Sequence, residues 1–230
     1  MRPTTAPSAE LHAQFGEIDI YLFDQLLRGR FDARRRVFDA GCGAGRNLSY
    51  FLARGFEIYA IDADEAALAS ARRLAARLAP ALPADNIRQG ALDALPWPDA
   101  GMDAVVCSAV LHFARDRAHF DRMVDEMWRV LAPGGFFIAR LASSIGIESR
   151  LSATVGRVRL PDGSDRFVVD EPMLLETTAR LGGTLADPIK TTNVQNQRCM
   201  TTWTLEKPRS TRDHSSHGLH GVHGTKRYPC

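Results

Sequence analysis

Leu11, Phe15, Ile18, Leu22 and Leu26 recur at three- and four-residue spacing near the start of the chain, the period at which one face of an α-helix is buried. The spacing predicts an amphipathic helix, whole or broken, over about residues 9–29. The pattern then changes to a short apolar run, Val37-Phe38, which meets Asp39 and a glycine-rich stretch before Leu48, Phe51 and Leu52 return at helical spacing. That order describes a strand, a tight turn and a helix over 47–54. A second strand follows at 57–62, and Ala67, Leu68, Ala71, Leu74, Ala75 and Leu78 mark a helix that stops near Pro80. Phe120, Met123, Val124, Met127 and Val130 form another helix face, stopped by Gly134 and Gly135. Alternating strands and helices imply a parallel sheet with right-handed crossovers and helices on both faces, the α/β class.

Beyond residue 142 the pattern weakens. Residues 143–170 hold Gly146, Gly156 and Pro161-Asp162-Gly163 and no long helical stripe. They read as an insertion, with a hairpin turned at Pro161-Asp162-Gly163. A helix is expected over 171–181, stopped by Gly182-Gly183, and two strands at 184–194 and 198–205 lie close enough to pair as a hairpin.

Composition narrows the class without naming it. With 230 residues, 45% hydrophobic and 24% charged, the chain suits one domain with a full core. No apolar run approaches the ~20 residues of a membrane helix, and Met1–Ser8 lacks a signal-peptide core. A cytoplasmic protein without a membrane partner is expected. Cys42 and Cys107 sit in a glycine turn and an apolar strand, where a thiol behaves as a small buried group. The tail at 208–230 carries +3, from Arg209, Arg212, Lys226 and Arg227 against Asp213, so with a total of +2 the rest of the chain carries −1. The body is close to neutral, and Arg34-Arg35-Arg36 reads as a solvated turn, so no nucleic acid partner is expected. His214, His217, His220 and His223 recur every three residues in that tail. Regular imidazoles suit transition metals, but the Gly, Ser and Pro content favours a disordered tail, and no metal site is assigned.

Gly41, Gly43 and Gly45 alternate in Asp39-Ala40-Gly41-Cys42-Gly43-Ala44-Gly45-Arg46-Asn47. Such a turn admits positive φ and lets a ligand approach without meeting a Cβ. The spacing departs from the G-x-G-x-x-G dinucleotide fingerprint, whose third glycine would fall on Arg46. The motif instead resembles the first motif of the class I, Rossmann-like S-adenosylmethionine-dependent methyltransferases. The resemblance continues through the second strand ending in Asp62-Ala63, through 86–93 ending in Leu92-Asp93, through 102–112 ending in Ser108 and His112, and through Leu131-Ala132-Pro133-Gly134-Gly135 into a fifth strand. It implies a doubly wound, mostly parallel seven-stranded sheet with an antiparallel C-terminal hairpin edge. The domain would span 31–207, with a helical lid at 1–30. The glycine motif and Leu48-Ser49-Tyr50-Phe51-Leu52-Ala53 are most similar to bacterial small-molecule enzymes, including the tellurite-resistance type.

What the resemblance implies can be set out residue by residue. S-adenosylmethionine, leaving as S-adenosylhomocysteine, would be held by Asp39, Gly41, Cys42, Gly43, Gly45, Asn47, Asp62, Ala63, Leu92, Asp93 and Ser108. Asp62 would accept hydrogen bonds from the ribose hydroxyls, and Asp39 would organise the turn or meet the cofactor's amino group. Asn47 caps the following helix or touches the methionine part. His112 takes a proton from a thiol or hydroxyl acceptor, or only shapes the pocket. Arg140 could hold an anionic acceptor, or pair with a carboxylate, and Tyr21 joins these as a substrate-binding candidate. Methyl transfer is an in-line displacement, so alignment and water exclusion dominate over acid–base machinery. A small-molecule acceptor suits the neutral body and single insertion. Protein or RNA methylation, an NAD-dependent oxidoreductase and a non-catalytic binder remain as alternatives, and the sequence leaves the oligomeric state unknown.

Overall fold

The computed structural model describes residues 6–209. The N-terminal stripe forms two helices, α1 (Pro7–Phe15) and α2 (Ile20–Leu27), broken where Gly16 adopts a φ of 62° and Asp19 caps α2 by accepting from the Tyr21 N–H. There follow β1 (Arg36–Ala40), α3 (Ser49–Ala53), β2 (Glu57–Asp62), α4 (Glu65–Leu78), β3 (Ile87–Gln89), β4 (Met102–Ser108), α5 (Arg117–Val130) and β5 (Leu131–Ser143). The second half holds β6 (Gly156–Arg159), β7 (Asp165–Val168), α6 (Glu171–Arg180), β8 (Thr184–Leu185), β9 (Lys190–Val194) and β10 (Arg198–Glu206).

The main sheet runs β3-β2-β1-β4-β5-β10-β8, with β9 also on β10. Strands β1 to β5 are parallel, and β10 is antiparallel to β5. The order reverses between β1 and β4, the switch point outside whose carboxyl ends such sheets bind ligands. The sheet has eight strands where seven are expected, because the edge strand expected over 184–194 is divided. Leu185 and Thr184 pair with Leu205 and Glu206, and 190–194 pair with 202–198. Between them lies Pro188, which cannot donate to a ladder. The interruption also serves the N-terminal helices. Asp187 accepts from Gln25 and Arg28 at 3.0 and 3.2 Å, and Arg30 donates to the Ala186 carbonyl at 2.9 Å.

Both faces of the sheet are buried, and residue alternation assigns each side chain to one of them. Phe38, Val105, Cys107, Phe137 and Trp203 pack with α5 and α6 on one side; Val37, Ile58, Ala104, Val106 and Phe136 pack with Leu22 of α2, Phe51 of α3 and Leu68 of α4 on the other. The insertion carries the expected hairpin. Strands β6 and β7 are antiparallel, and Gly163 takes a φ of 83° where the Leu160 carbonyl accepts its N–H. The hairpin has a small core of its own, with Val158, Leu160 and Val168 against Ile147 and Cys199. The Arg34-Arg35-Arg36 run is less solvated than its composition suggests: Arg36 pairs with Asp103 at 2.6 Å, Arg34 donates to the Gly134 carbonyl, and Arg35 lies over the Phe56 ring.

A candidate methyltransferase site

The glycine turn is built from the end of β1 outward. The Gly41 and Cys42 N–H groups both donate to the Ile61 carbonyl at 2.8 and 3.1 Å, which ties the turn to the end of β2. Gly41 has a φ of 77°, and a Cβ there would stand 2.4 Å from Val110 Cγ2. Gly43 has a φ of 53° with open space where its Cβ would be, while a Cβ at Gly45 would press on Ala71 of α4 at 3.3 Å. The three glycines therefore differ in purpose: Gly41 admits Val110, Gly43 leaves room, and Gly45 lets α4 approach. Asp62 accepts from the Gly43 N–H at 2.7 Å and the Asp64 N–H at 2.9 Å. A carboxylate offers about four acceptor sites, so capacity remains for a ligand's hydroxyls.

A cleft of about 460 Å³ opens beside this turn. Gly41, Asp62, Ala63, Leu92, Asp93 and Ser108 from the predicted set line it, together with residues the sequence reading missed, among them Phe113, His119 and Met123. Asp93 is ringed by Arg115, His119 and Arg122 at 3.5–3.9 Å. Asp39, Cys42, Gly43, Gly45 and Asn47 from the predicted set are not among the residues lining the cleft. Asn47 does not cap α3, whose N-cap is Leu48; its Oδ1 accepts from the Asp19 N–H at 3.0 Å. Asp39 is 2% exposed and its Oδ2 has no partner among the described residues. Burial raises its pKa to about 7, with Arg46 opposing and Asp62 adding to the shift.

Ala109, in the left-handed region at φ 65°, lies between this cleft and a second pocket of about 240 Å³. Arg46, His112, Arg140, Arg166 and Arg198 line the second pocket, with Asp162 and Ser164 of the insertion hairpin. His112 sits on a short turn over Leu111–Phe113 and is 6% exposed, with Nδ1 buried and unpartnered. Burial lowers its pKa to about 4, and Arg166, Arg140 and Arg198 add to the shift. The imidazole is thus neutral at neutral pH. Tyr21 is not among the residues lining this pocket: its hydroxyl pairs with Thr192 Oγ1 and its ring lies 5.0 Å beneath the Arg140 guanidinium.

Asp19 joins the two halves and was not among the sequence candidates. Its side chain is 3% exposed, and Oδ2 accepts from Ser108 Oγ at 2.9 Å and from Arg140 at 3.1 Å, with Arg46 at 3.4 Å. Arg46 also donates to Ser108 Oγ at 2.8 Å. An acid at the break between two helical stripes signals an N-cap, but nothing local signals these partners. The tail histidines His214, His217, His220 and His223 lie outside the described residues. Among the described residues, no cluster of three His, Cys, Asp or Glu side chains could hold a metal, and no helix is long and apolar enough to cross a membrane.

Comparison with known proteins agrees with this geometry. A family profile described as a methyltransferase domain matches residues 38–139, from the middle of β1 into β5. A Mycolicibacterium smegmatis protein named as a probable S-adenosylmethionine-dependent methyltransferase is 36% identical over 125 residues, covering 54% of this chain and 42% of that protein. The chain thus spans less than half the length of that relative. Among solved structures, a Methanosarcina mazei S-adenosylmethionine-dependent methyltransferase superposes with a TM-score of 0.62 at 17% identity, over 80% of this chain and 98% of that one. The Burkholderia thailandensis 1,6-didemethyltoxoflavin-N1-methyltransferase, solved with 1,6-didemethyltoxoflavin and S-adenosylhomocysteine, gives 0.58 at 19% identity over 90% and 93%. The fold is the Rossmann-like methyltransferase fold. Residues 38–139 match a methyltransferase domain, and the curated relative that the chain resembles over half its length is named as S-adenosylmethionine-dependent.

The residues present fit that cofactor on three counts. Gly43 leaves a space that any side chain would fill; Asp39 keeps an orphaned buried carboxylate oxygen suited to an ammonium; and Asp62 stands at the cleft wall with acceptor capacity to spare.

Proposed function

We propose that this protein transfers a methyl group from S-adenosylmethionine to a small-molecule acceptor in the cytoplasm. The observation that carries the reading is the pair of cavities meeting at Ala109, one against the glycine turn and one walled by the insertion hairpin. A small pocket separated from the cofactor cleft by one residue suits a small acceptor better than a macromolecular segment. The cofactor, when bound, supplies an electrophilic methyl on a sulfonium. In this reading Asp62 accepts from the ribose hydroxyls, Asp39 faces the amino group, Leu92 and Asp93 flank the adenine, and Gly41, Ala63 and Ser108 form the wall. Cys42, Gly43, Gly45 and Asn47 shape the turn that holds it.

His112 and the N-terminal segment do the acceptor's work. A neutral His112, through Nε2, takes the proton that a thiol, hydroxyl or amine loses on methylation. Helices α1 and α2, tied down through Asp19, act as the lid that excludes water, and Tyr21 braces Arg140 from that lid. Calorimetry with S-adenosylhomocysteine and with NAD tests the cofactor. An S-adenosylhomocysteine release assay over thiols, phenols, amines, halides, and selenium and tellurium oxyanions then tests the reaction. Binding of NAD in place of S-adenosylhomocysteine would overturn the proposal.

A further inference from the structure

The second pocket holds more positive charge than its own structure uses. Arg46, Arg140, Arg166 and Arg198 line it against a single lining carboxylate, Asp162. Asp19 reaches Arg46 and Arg140 from beneath, which leaves a surplus of two positive charges. The arginines are not equally engaged. Arg198 approaches Asp162 only to 3.8 Å. Arg166 has no carboxylate within 4 Å among the described residues; it donates to the Asp165 carbonyl and lies over the Phe113 ring. Arg140 keeps a buried Nε with no partner.

Several guanidiniums converging on one partly enclosed pocket repel one another, and each is a planar donor fork matched to carboxylate or phosphate oxygens. An ordinary solvated face would spread them apart. These four come from separate parts of the chain, the glycine turn, β5, β7 and β10, and they line one pocket.

Resting on the methyl-transfer reading above, we infer that the acceptor is an anion: a small molecule whose carboxylate or phosphate is held by Arg166 and Arg198 at the outer wall, with Arg140 below. Its nucleophilic atom then lies toward Ala109 and the cofactor cleft. In the reaction the nucleophile's electron pair forms the new bond to the methyl carbon, and the carbon–sulfur bond breaks with its pair remaining on sulfur. The proton of the nucleophile passes to His112. The anionic group itself takes no part, so the arginines are positioning residues that set KM and alignment.

The test uses the full-length protein saturated with S-adenosylhomocysteine, which occupies the cofactor's own amino-acid site and removes it as a place for small anions. Benzoate, phenyl phosphate and the neutral benzamide are titrated by calorimetry, and 4-mercaptobenzoate is compared with thiophenol in the release assay. At least one anion is expected to bind ten-fold or more tightly than benzamide. The double variant Arg166→Ala, Arg198→Ala should lose that preference ten-fold or more with unchanged affinity for S-adenosylhomocysteine, and Arg166→Lys, Arg198→Lys should recover part of it. Equal or absent binding of both anions, or a preference untouched by the double variant, would overturn the inference. Should the alanine variant not fold, the wild-type contrast between benzoate and benzamide still decides. Failure of the methyl-transfer reading would show separately, as wild-type protein that does not bind S-adenosylhomocysteine.

Discussion

The cavities on either side of Ala109 carry opposite charge. The cleft against the glycine turn is walled by Asp62 and Asp93 against one lining arginine, Arg115, with Asp39 buried nearby; the pocket under the insertion hairpin is walled by four arginines against one lining carboxylate, Asp162. A methyl donor that is cationic at sulfur and at its amino group suits the acidic side, and an anionic acceptor suits the basic side. Asp19 bridges them, gathering Ser108 from the first and Arg46 and Arg140 from the second. On the proposed reaction, charge would sort the two reactants before either makes a specific contact.

The largest effect expected from breaking one side alone is at His112. Replacing it with Gln keeps the pocket's size and a hydrogen-bonding group but removes the proton acceptor. Turnover should fall about 10²-fold or more, with calorimetric affinity for S-adenosylhomocysteine unchanged. Turnover within a few-fold of the wild type would leave His112 a shape residue.

On the acidic side, Asp62→Ala should weaken S-adenosylhomocysteine binding about ten- to hundred-fold, the range for losing a charged hydrogen-bond acceptor. Asp62 also holds the Gly43 and Asp64 N–H groups, so Asp62→Asn, which retains one acceptor oxygen, separates turn geometry from ligand contact. Full affinity in a folded Asp62→Ala variant would remove Asp62 from the cofactor site.

The bridge between the sides is tested at Asp19. Asp19→Ala leaves Arg46, Arg140 and Ser108 without their shared acceptor and removes the cap of α2. Charged hydrogen bonds of this kind contribute about 1.5–3 kcal/mol, so the melting temperature should fall by several degrees. If α1 and α2 form the proposed lid, turnover should fall further than cofactor affinity, because the lid would be loosened while the glycine turn stays intact. An unchanged melting temperature would mean that the Asp19 contacts contribute nothing.

The two sides also differ in how far their sequence betrays them. The turn after β1 is legible because its signals are local: an apolar pair, an acid, alternating glycines and a helical stripe within sixteen residues of one another, from Val37 to Leu52. The pocket beyond Ala109 depends on contacts between distant segments. Asp19 meets Arg46, Ser108 and Arg140 across separations of 27, 89 and 121 residues. Arg166 and Arg198 look like ordinary strand-end cations until the hairpin brings them together. The turn at Pro161-Asp162-Gly163 was readable, but not where its arms would point. Asn47 shows the same limit on a smaller scale, since its position suits a cap and its actual partner is the Asp19 backbone. Pro188 was a visible warning that the edge strand would break.

The smallest and most specific effect expected is on pH dependence, and it lies wholly on the acidic side. Asp39 is buried with an unpartnered oxygen and a pKa raised to about 7, chiefly by desolvation, against an unfolded value near 4. The folded protein therefore binds this proton more tightly than the unfolded chain does, and the resulting contribution to stability is fully present below about pH 4 and lost as pH rises through about 7. Cofactor binding runs the other way. An ammonium needs the ionised carboxylate, so affinity for S-adenosylhomocysteine should rise up to about ten-fold between pH 6 and pH 8 as Asp39 loses its proton. Arg46 and Asp62 are the charged groups that act on Asp39. Asp39→Asn should flatten the profile and hold affinity near its low-pH value, measured by calorimetry in buffers of matched ionic strength. A wild-type profile already flat from pH 6 to 8 would show that Asp39 keeps its proton in the complex and acts only within the turn.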